Sequence, residues 1–184
     1  MRVIGLIPSR IGSKRLSAKA LLPLNNIPLI VHVLKRAQLS KRLTDVVVCC
    51  DDKKILKAVR DFGGKALLTS KKHHNGTERI AAAYKSIKKN YDLVLDIQGD
   101  EPLINPRHID SVINYHIKNI ETDIVVPSLK TKYSHNENIV KITKDLNNNV
   151  LYFSRASIPF QYKKRTNFYH KHLSIISFKP LALK

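Results

Sequence analysis

Two hydrophobic rhythms alternate along the chain as far as residue 127. Residues 3–7 form a short continuous apolar run closed by Pro8, which predicts a buried strand feeding a polar loop with Gly12 and Ser13. From Pro28 the spacing turns helical, with Leu29, Ile30, Val33, Leu34 and Ala37 on one face and Pro28 suited to the first turn. Residues 46–50 predict a second strand. Asp51 is then expected to cap a helix whose apolar face is Ile55, Leu56, Val59 and Phe62, stopped by Gly63-Gly64. The rhythm repeats with a strand at 65–69 and a helix started by Thr77 or its neighbour that carries Ile80, Ala81, Tyr84 and Ile87. It repeats again with a strand at 93–97 and a helix from Pro106 that carries Ile109, Val112, Ile113 and His116 on one side, before a strand at 124–127.

Strands alternating with helices of this length imply parallel strands joined by right-handed crossovers, hence a three-layer α/β sheet whose ligands sit beyond the carboxyl ends of the strands. Past residue 130 the alternation breaks. Residues 139–143, a turn at Asn147-Asn148-Asn149 and residues 150–153 predict an antiparallel hairpin insert. Residues 173–178 predict a final strand with no helix after it to cover it. The expectation is a single domain over 1–184, with no internal repeat and no linker.

Charge adds a second reading. The chain has 33 Lys and Arg against 14 Asp and Glu, a net +19, which is also the footprint of a nucleic-acid binder. The basic residues are spread along the whole length, and the abundance of Ile and Asn points to AT-rich codons that inflate Lys. A solvated basic surface is therefore preferred over an RNA-binding module. No apolar stretch approaches the roughly 20 residues of a membrane-spanning helix. The amino terminus reads as a strand and not as a leader, so a cytoplasmic protein is expected. Cys49 and Cys50 are adjacent, which suits reduced structural thiols better than a disulfide framework or a metal knuckle.

Four segments could carry chemistry. The loop Ser9-Arg10-Ile11-Gly12-Ser13-Lys14-Arg15-Leu16-Ser17-Ala18-Lys19 follows the first strand and could hold a triphosphate with backbone amides and cations, or be an exposed basic loop; it lacks Walker A spacing. Asp96-Ile97-Gln98-Gly99-Asp100-Glu101-Pro102 puts Asp100 just past the fourth strand, beside a glycine that would let a ligand approach. It reads as a Mg²⁺ ligand or as an acid-rich turn. In His73-His74-Asn75-Gly76-Thr77-Glu78-Arg79 the adjacent histidines diverge and do not suit a metal. Thr77 is the expected cap, and Arg79 stands against the helix dipole, as an anion or base contact would. In the last segment, residues 151–160 followed by 170–173, Tyr152 and Phe153 read as half-buried core, with Arg155 and His172 the polar residues of interest.

In this order, IPSRIGSKRLSAKALLPLNNIPLIVHV, HNGTERI, DIQGDEPLI, ENIVKI and LYFSRASIP together resemble the 3-deoxy-manno-octulosonate cytidylyltransferases, the CMP-Kdo synthetases. The resemblance implies a Rossmann-like nucleotidyltransferase sheet and a Mg²⁺-dependent reaction of CTP with the acidic sugar Kdo for lipopolysaccharide synthesis. It assigns Arg10 and Lys19, assisted by Arg15, to the triphosphate, Asp100 to Mg²⁺, Arg79 to the nucleotide, and Gln98, Arg155 and His172 to the sugar. Lys19, Asp100 and Arg10 are the catalytic set, and no covalent nucleophile is needed. Two departures accompany it. Where the family has a Pro-Gly turn this chain has Ser17-Ala18, and Ala18 takes positive φ less readily than Gly. The resemblance also implies further carboxyl-terminal helices with the homodimer contact and a second metal-binding aspartate, which fall beyond Lys184. The alternatives are a cytidylyltransferase for another acidic sugar (amino-Kdo or sialic-type) and a noncatalytic CTP-binding protein.

Overall fold

The computed structural model describes residues 1–12, 16–132, 136–160, 162 and 168–183. Their contacts divide into two compact units, 1–125 with 174–184 and 126–173.

The first unit is built on a six-stranded sheet. Its strands are β1 (Val3–Ser9), β4 (Asp45–Cys50), β5 (Lys65–Leu68), β6 (Leu93–Ile97), β7 (Ile124–Val125) and β12 (Ile175–Phe178), ordered β5-β4-β1-β6-β12-β7. A two-residue turn at Asn25-Asn26, both at positive φ, joins the short hairpin β2 (Pro23–Leu24) and β3 (Ile27–Pro28). β1 runs parallel to β4 and β6, and β4 parallel to β5, as the alternation of strand and helix demands. β12 is antiparallel to both of its neighbours, β6 and β7.

Strand alternation sorts the core into two layers. One face packs Val3, Ile7, Val46, Val48, Leu93, Leu95 and Ile175 against three helices, α1 (Leu29–Gln38), α2 (Lys53–Asp61) and α4 (Pro106–Lys118). The other packs Ile4, Leu6, Val47, Cys49, Val94 and Phe178 against α3 (Gly76–Ser86), with Tyr91 and Leu183. Leu183, from the 3₁₀ turn Pro180–Leu183, is thus part of the layer beside the last strand. Cys49 and Cys50 are buried and free, and burial pushes both thiols up, away from reactivity. His116 pins α4 to β12. Its Nδ1 pairs with Ser177 Oγ at 2.7 Å and its Nε2 with the Thr122 carbonyl at 2.8 Å, while burial holds its pKa below the usual histidine range.

Two expected caps are corrected. Asp52, not Asp51, caps α2, its carboxylate accepting from the Lys54 amide at 2.8 Å. Asn75, not Thr77, caps α3, accepting from the Glu78 amide at 2.8 Å, while Glu78 reaches back to the His74 amide. Of the displaced residues, Asp51 is buried, while Thr77 stays exposed.

The second unit is a four-stranded antiparallel sheet of β8 (Ser128–Lys132), β9 (Lys141–Lys144), β10 (Val150–Ser154) and β11 (Phe168–His172), ordered β10-β9-β11-β8. The expected hairpin is β9 and β10, with Asn148 at positive φ in its turn. β8 and β11, which complete the sheet, have too few apolar positions to stand out in the sequence. Tyr152 and Phe153 are 51% and 43% exposed, not the half-buried core expected, because β10 is an edge strand with side chains open on both faces.

Candidate active site

The strand order reverses direction at β1. The chain crosses from β1 through α1 to β4 and on to β5, then α3 carries it back to β6 on the far side of β1. Such a switch point leaves a crevice at the carboxyl ends of the two central strands. The loops after β1 and β6 are the two that carry Arg10, Lys19, Gln98 and Asp100.

Gly99 holds these loops together. A Cβ there would lie 2.6 Å from the Pro8 carbonyl oxygen and 3.2 Å from Ile30, so only glycine lets the exit of β6 pass so close to the end of β1. The chain's own backbone occupies the space that the sequence reading reserved for a ligand. Just beyond, Lys19 Nζ meets Asp100 Oδ2 at 2.8 Å, with side chains 36% and 50% exposed. These are the residues expected to hold the triphosphate and Mg²⁺, brought together from 81 positions apart. Arg10 directly follows β1 and is exposed, and Gln98 is exposed just past β6, its backbone amide donating to the Ser174 carbonyl at 3.1 Å. Ser174 also donates to Glu101 at 2.8 Å, so the start of the last strand fixes both sides of Asp100. Arg15 lies outside the described residues.

Ala18 has φ 50° and ψ 32°, a left-handed conformation, immediately before the 3₁₀ turn Lys19–Leu21. An L-residue there costs about 1 kcal/mol or more relative to its preferred wells. Ala18→Gly is therefore expected to stabilise the chain by roughly 0.5–1 kcal/mol, after the greater freedom of glycine in the unfolded state is discounted. A thermal melt checks this, and an unchanged or lowered midpoint would show that the turn carries no strain.

Arg79 is placed differently from its expected role. Its side chain is 3% exposed and lies in an internal ion pair with Asp51, Nη2 to Oδ2 at 3.2 Å. Its Nη1 donates to Thr69 Oγ1 at 2.6 Å and to the Ser70 carbonyl at 3.1 Å. That pairing explains a cation in the first turn of a helix.

Sequence reasoning missed Asp96 as a residue of interest. Alternation along β6 puts it on the α3 face, where Thr77 hydrogen-bonds to it and its Oδ1 is buried with no partner among the described residues. Burial pushes its pKa up to about 7, opposed by the Thr77 hydrogen bond.

Within the second unit, Arg155 donates from Nη1 to the Glu137 carbonyl at 3.0 Å, and the fully buried Lys141 donates from Nζ to the Arg155 carbonyl at 2.7 Å. The His172 ring meets Phe153 edge-on, with centroids 5.4 Å apart. Its Nδ1 is buried without a partner among the described residues, and burial lowers its pKa, opposed by a hydrogen bond to the Pro127 backbone, which favours the neutral imidazole.

No helix among the described residues is long and apolar enough to cross a membrane. Residues 4–181 match the cytidylyltransferase family. The 3-deoxy-manno-octulosonate cytidylyltransferase of Thermodesulfovibrio yellowstonii is 41% identical over 199 aligned positions, covering 100% of this chain and 78% of that protein. The 8-amino-3,8-dideoxy-manno-octulosonate cytidylyltransferase of Shewanella baltica is 40% identical, covering 97% and 75%. A solved CMP:2-keto-3-deoxy-manno-octonic acid synthetase complexed with CTP superposes with a TM-score of 0.89 at 30% identity, covering 100% of this chain and 76% of that one. With its switch-point loops, its reversed last strand and its motifs in order, this chain belongs to the cytidylyltransferase family, among the 3-deoxy-manno-octulosonate cytidylyltransferases.

Proposed function

We propose that this chain transfers CMP from CTP to 3-deoxy-D-manno-octulosonate in the cytoplasm, releasing pyrophosphate, as a step toward lipopolysaccharide. The observation that carries this reading is the Lys19–Asp100 pair at the switch point, where a lysine ammonium stands 2.8 Å from an aspartate carboxylate. The relatives described above support the choice of nucleotide and sugar.

The residues fit Mg²⁺. Asp100 offers a hard oxygen donor and is half exposed, which leaves room for the water and phosphate ligands Mg²⁺ prefers to keep. Asp100 is the ligand this chain would supply. When bound, Mg²⁺ would offset the negative charge of the triphosphate and of the reacting oxygens.

The side chains do the remaining work by position and charge. Arg10 and Lys19 hold the phosphate oxygens, and Lys19 keeps its ammonium beside the leaving pyrophosphate. Gln98 offers its amide to the sugar. By the resemblance, Arg155, steadied by Glu137 and Lys141, and His172 would take the sugar carboxylate and hydroxyls. The anomeric hydroxyl, giving its proton up to solvent, attacks the α-phosphorus in line as the bond to pyrophosphate breaks, with catalysis by orientation and charge neutralisation.

The test is pyrophosphate release from CTP and Mg²⁺ with and without Kdo. Release that depends on the sugar is expected, and CTP binding without turnover would favour a noncatalytic nucleotide-binding protein. The Shewanella baltica relative makes 8-amino-Kdo the second sugar to try, and the ratio of kcat/KM for the two sugars identifies the substrate.

A further inference from the structure

We propose that the buried Arg79–Asp51 ion pair positions the triphosphate loop, so that Arg79 acts on CTP through the backbone and not by touching it. The inference rests on the nucleotide-site reading above and deepens it.

Asp51 divides its carboxylate between two jobs. Oδ2 takes the Arg79 guanidinium, and Oδ1 accepts the Ile11 amide at 2.9 Å. The Ile11 carbonyl in turn accepts the Ala18 amide at 3.2 Å, and the Ala18 carbonyl accepts from Leu21 at 2.8 Å, which closes the turn that begins at Lys19. One continuous set of bonds therefore runs from α3 through the end of β4 to both ends of the loop, Arg10-Ile11 on one side and Ala18-Lys19 on the other.

Arg79 is itself held from the side of β5. Thr69 Oγ1, which it contacts, donates to the Cys50 carbonyl at 3.0 Å, and the Thr69 amide bonds the same carbonyl at 2.7 Å. The ends of β1, β4 and β5 and the first turn of α3 are thus tied at one buried point. Both members are nearly solvent-free, at 3% and 8% side-chain exposure, so the pair is placed to fix geometry and not to capture a ligand from solution. Preorganising a loop in this way lowers the ordering cost of binding the triphosphate.

The test is CTP titration with Mg²⁺ on the whole chain and on Arg79→Met, Asp51→Ala and the double variant, with amide exchange read at Ile11 and on α4. The wild type is expected to bind CTP. Each single variant should weaken binding roughly 10- to 100-fold, the range for loss of a charged hydrogen bond. The double should be no weaker than the worse single, because both changes break one unit. Exchange at Ile11 should quicken while α4 keeps its protection. Should a single variant fail to fold through a stranded buried charge, the double, which buries none, carries the test by its own weakened binding and fast Ile11 exchange.

Additive losses in the double would mean that Arg79 contacts the nucleotide directly, and would overturn the proposal. So would unchanged affinity with Ile11 exchange accelerated. Absence of CTP binding by the wild type would instead overturn the nucleotide-site reading on which the proposal stands.

Discussion

Asp100→Asn should lower sugar-dependent pyrophosphate release by about 100-fold or more, on the scale of losing one preorganised charge contact at a reacting centre. The substitution keeps size and shape at a half-exposed position, so the fold should be untouched and the melting midpoint close to that of the parent chain. Two things are lost together, the hard anionic oxygen that suits Mg²⁺ and the counter-charge that holds Lys19. The Mg²⁺ concentration needed for half-maximal release should therefore rise in whatever activity remains. An Asp100→Asn chain with undiminished release at the same Mg²⁺ requirement would remove Asp100 from the metal site, and the basic loop would then have to account for the chemistry by itself.

The second large effect concerns stability. Asp96 is buried with one orphaned oxygen, and its pKa is pushed up to about 7 by desolvation. Between about pH 4, where the unfolded chain ionises, and pH 7, where the folded one does, the native state binds more protons than the unfolded state, so stability falls as pH rises through that window. Carrying that carboxyl from about 4 to about 7 corresponds to a penalty on the order of 4 kcal/mol, fully present above pH 7 and absent below pH 4. Asp96→Asn keeps an oxygen for the Thr77 hydroxyl and cannot ionise. It should match the parent chain near pH 4 and exceed it by roughly 2–4 kcal/mol at pH 8. Urea melts at the two pH values measure the difference directly. A gain that does not grow with pH would show that Asp96 stays charged in the folded chain.

Much of the first unit was legible because its helices and strands carry strong periods. Leu93–Ile97 is a strand as expected, and Ile109, Val112, Ile113 and His116 are all buried on α4. The loops expected to carry phosphate and metal chemistry do follow β1 and β6. The pairing of Asp51 and Asp52 shows where the reading stopped. Either acid could cap α2 by sequence alone, and alternation along β4 settles the matter by turning Asp51 to the face of Val47 and Cys49, where α3 brings Arg79. The cap of α3, expected at Thr77, went to Asn75, while Thr77 meets Asp96.

The sequence by itself determined the element types of the first unit, the two-layered core of its parallel sheet and which loops follow its strands, since the periods of 2 and 3.6 are properties of the local chain. Only the tertiary structure decided the reversed direction of β12, the closing of β8 and β11 onto the hairpin, the exposure of Tyr152 and Phe153, and the burial of Arg79 in an ion pair with Asp51. Each of these depends on which distant backbone or charge a residue meets. A strand's period is the same whichever way it runs, and an arginine's code is the same whether an aspartate or a phosphate stands before it.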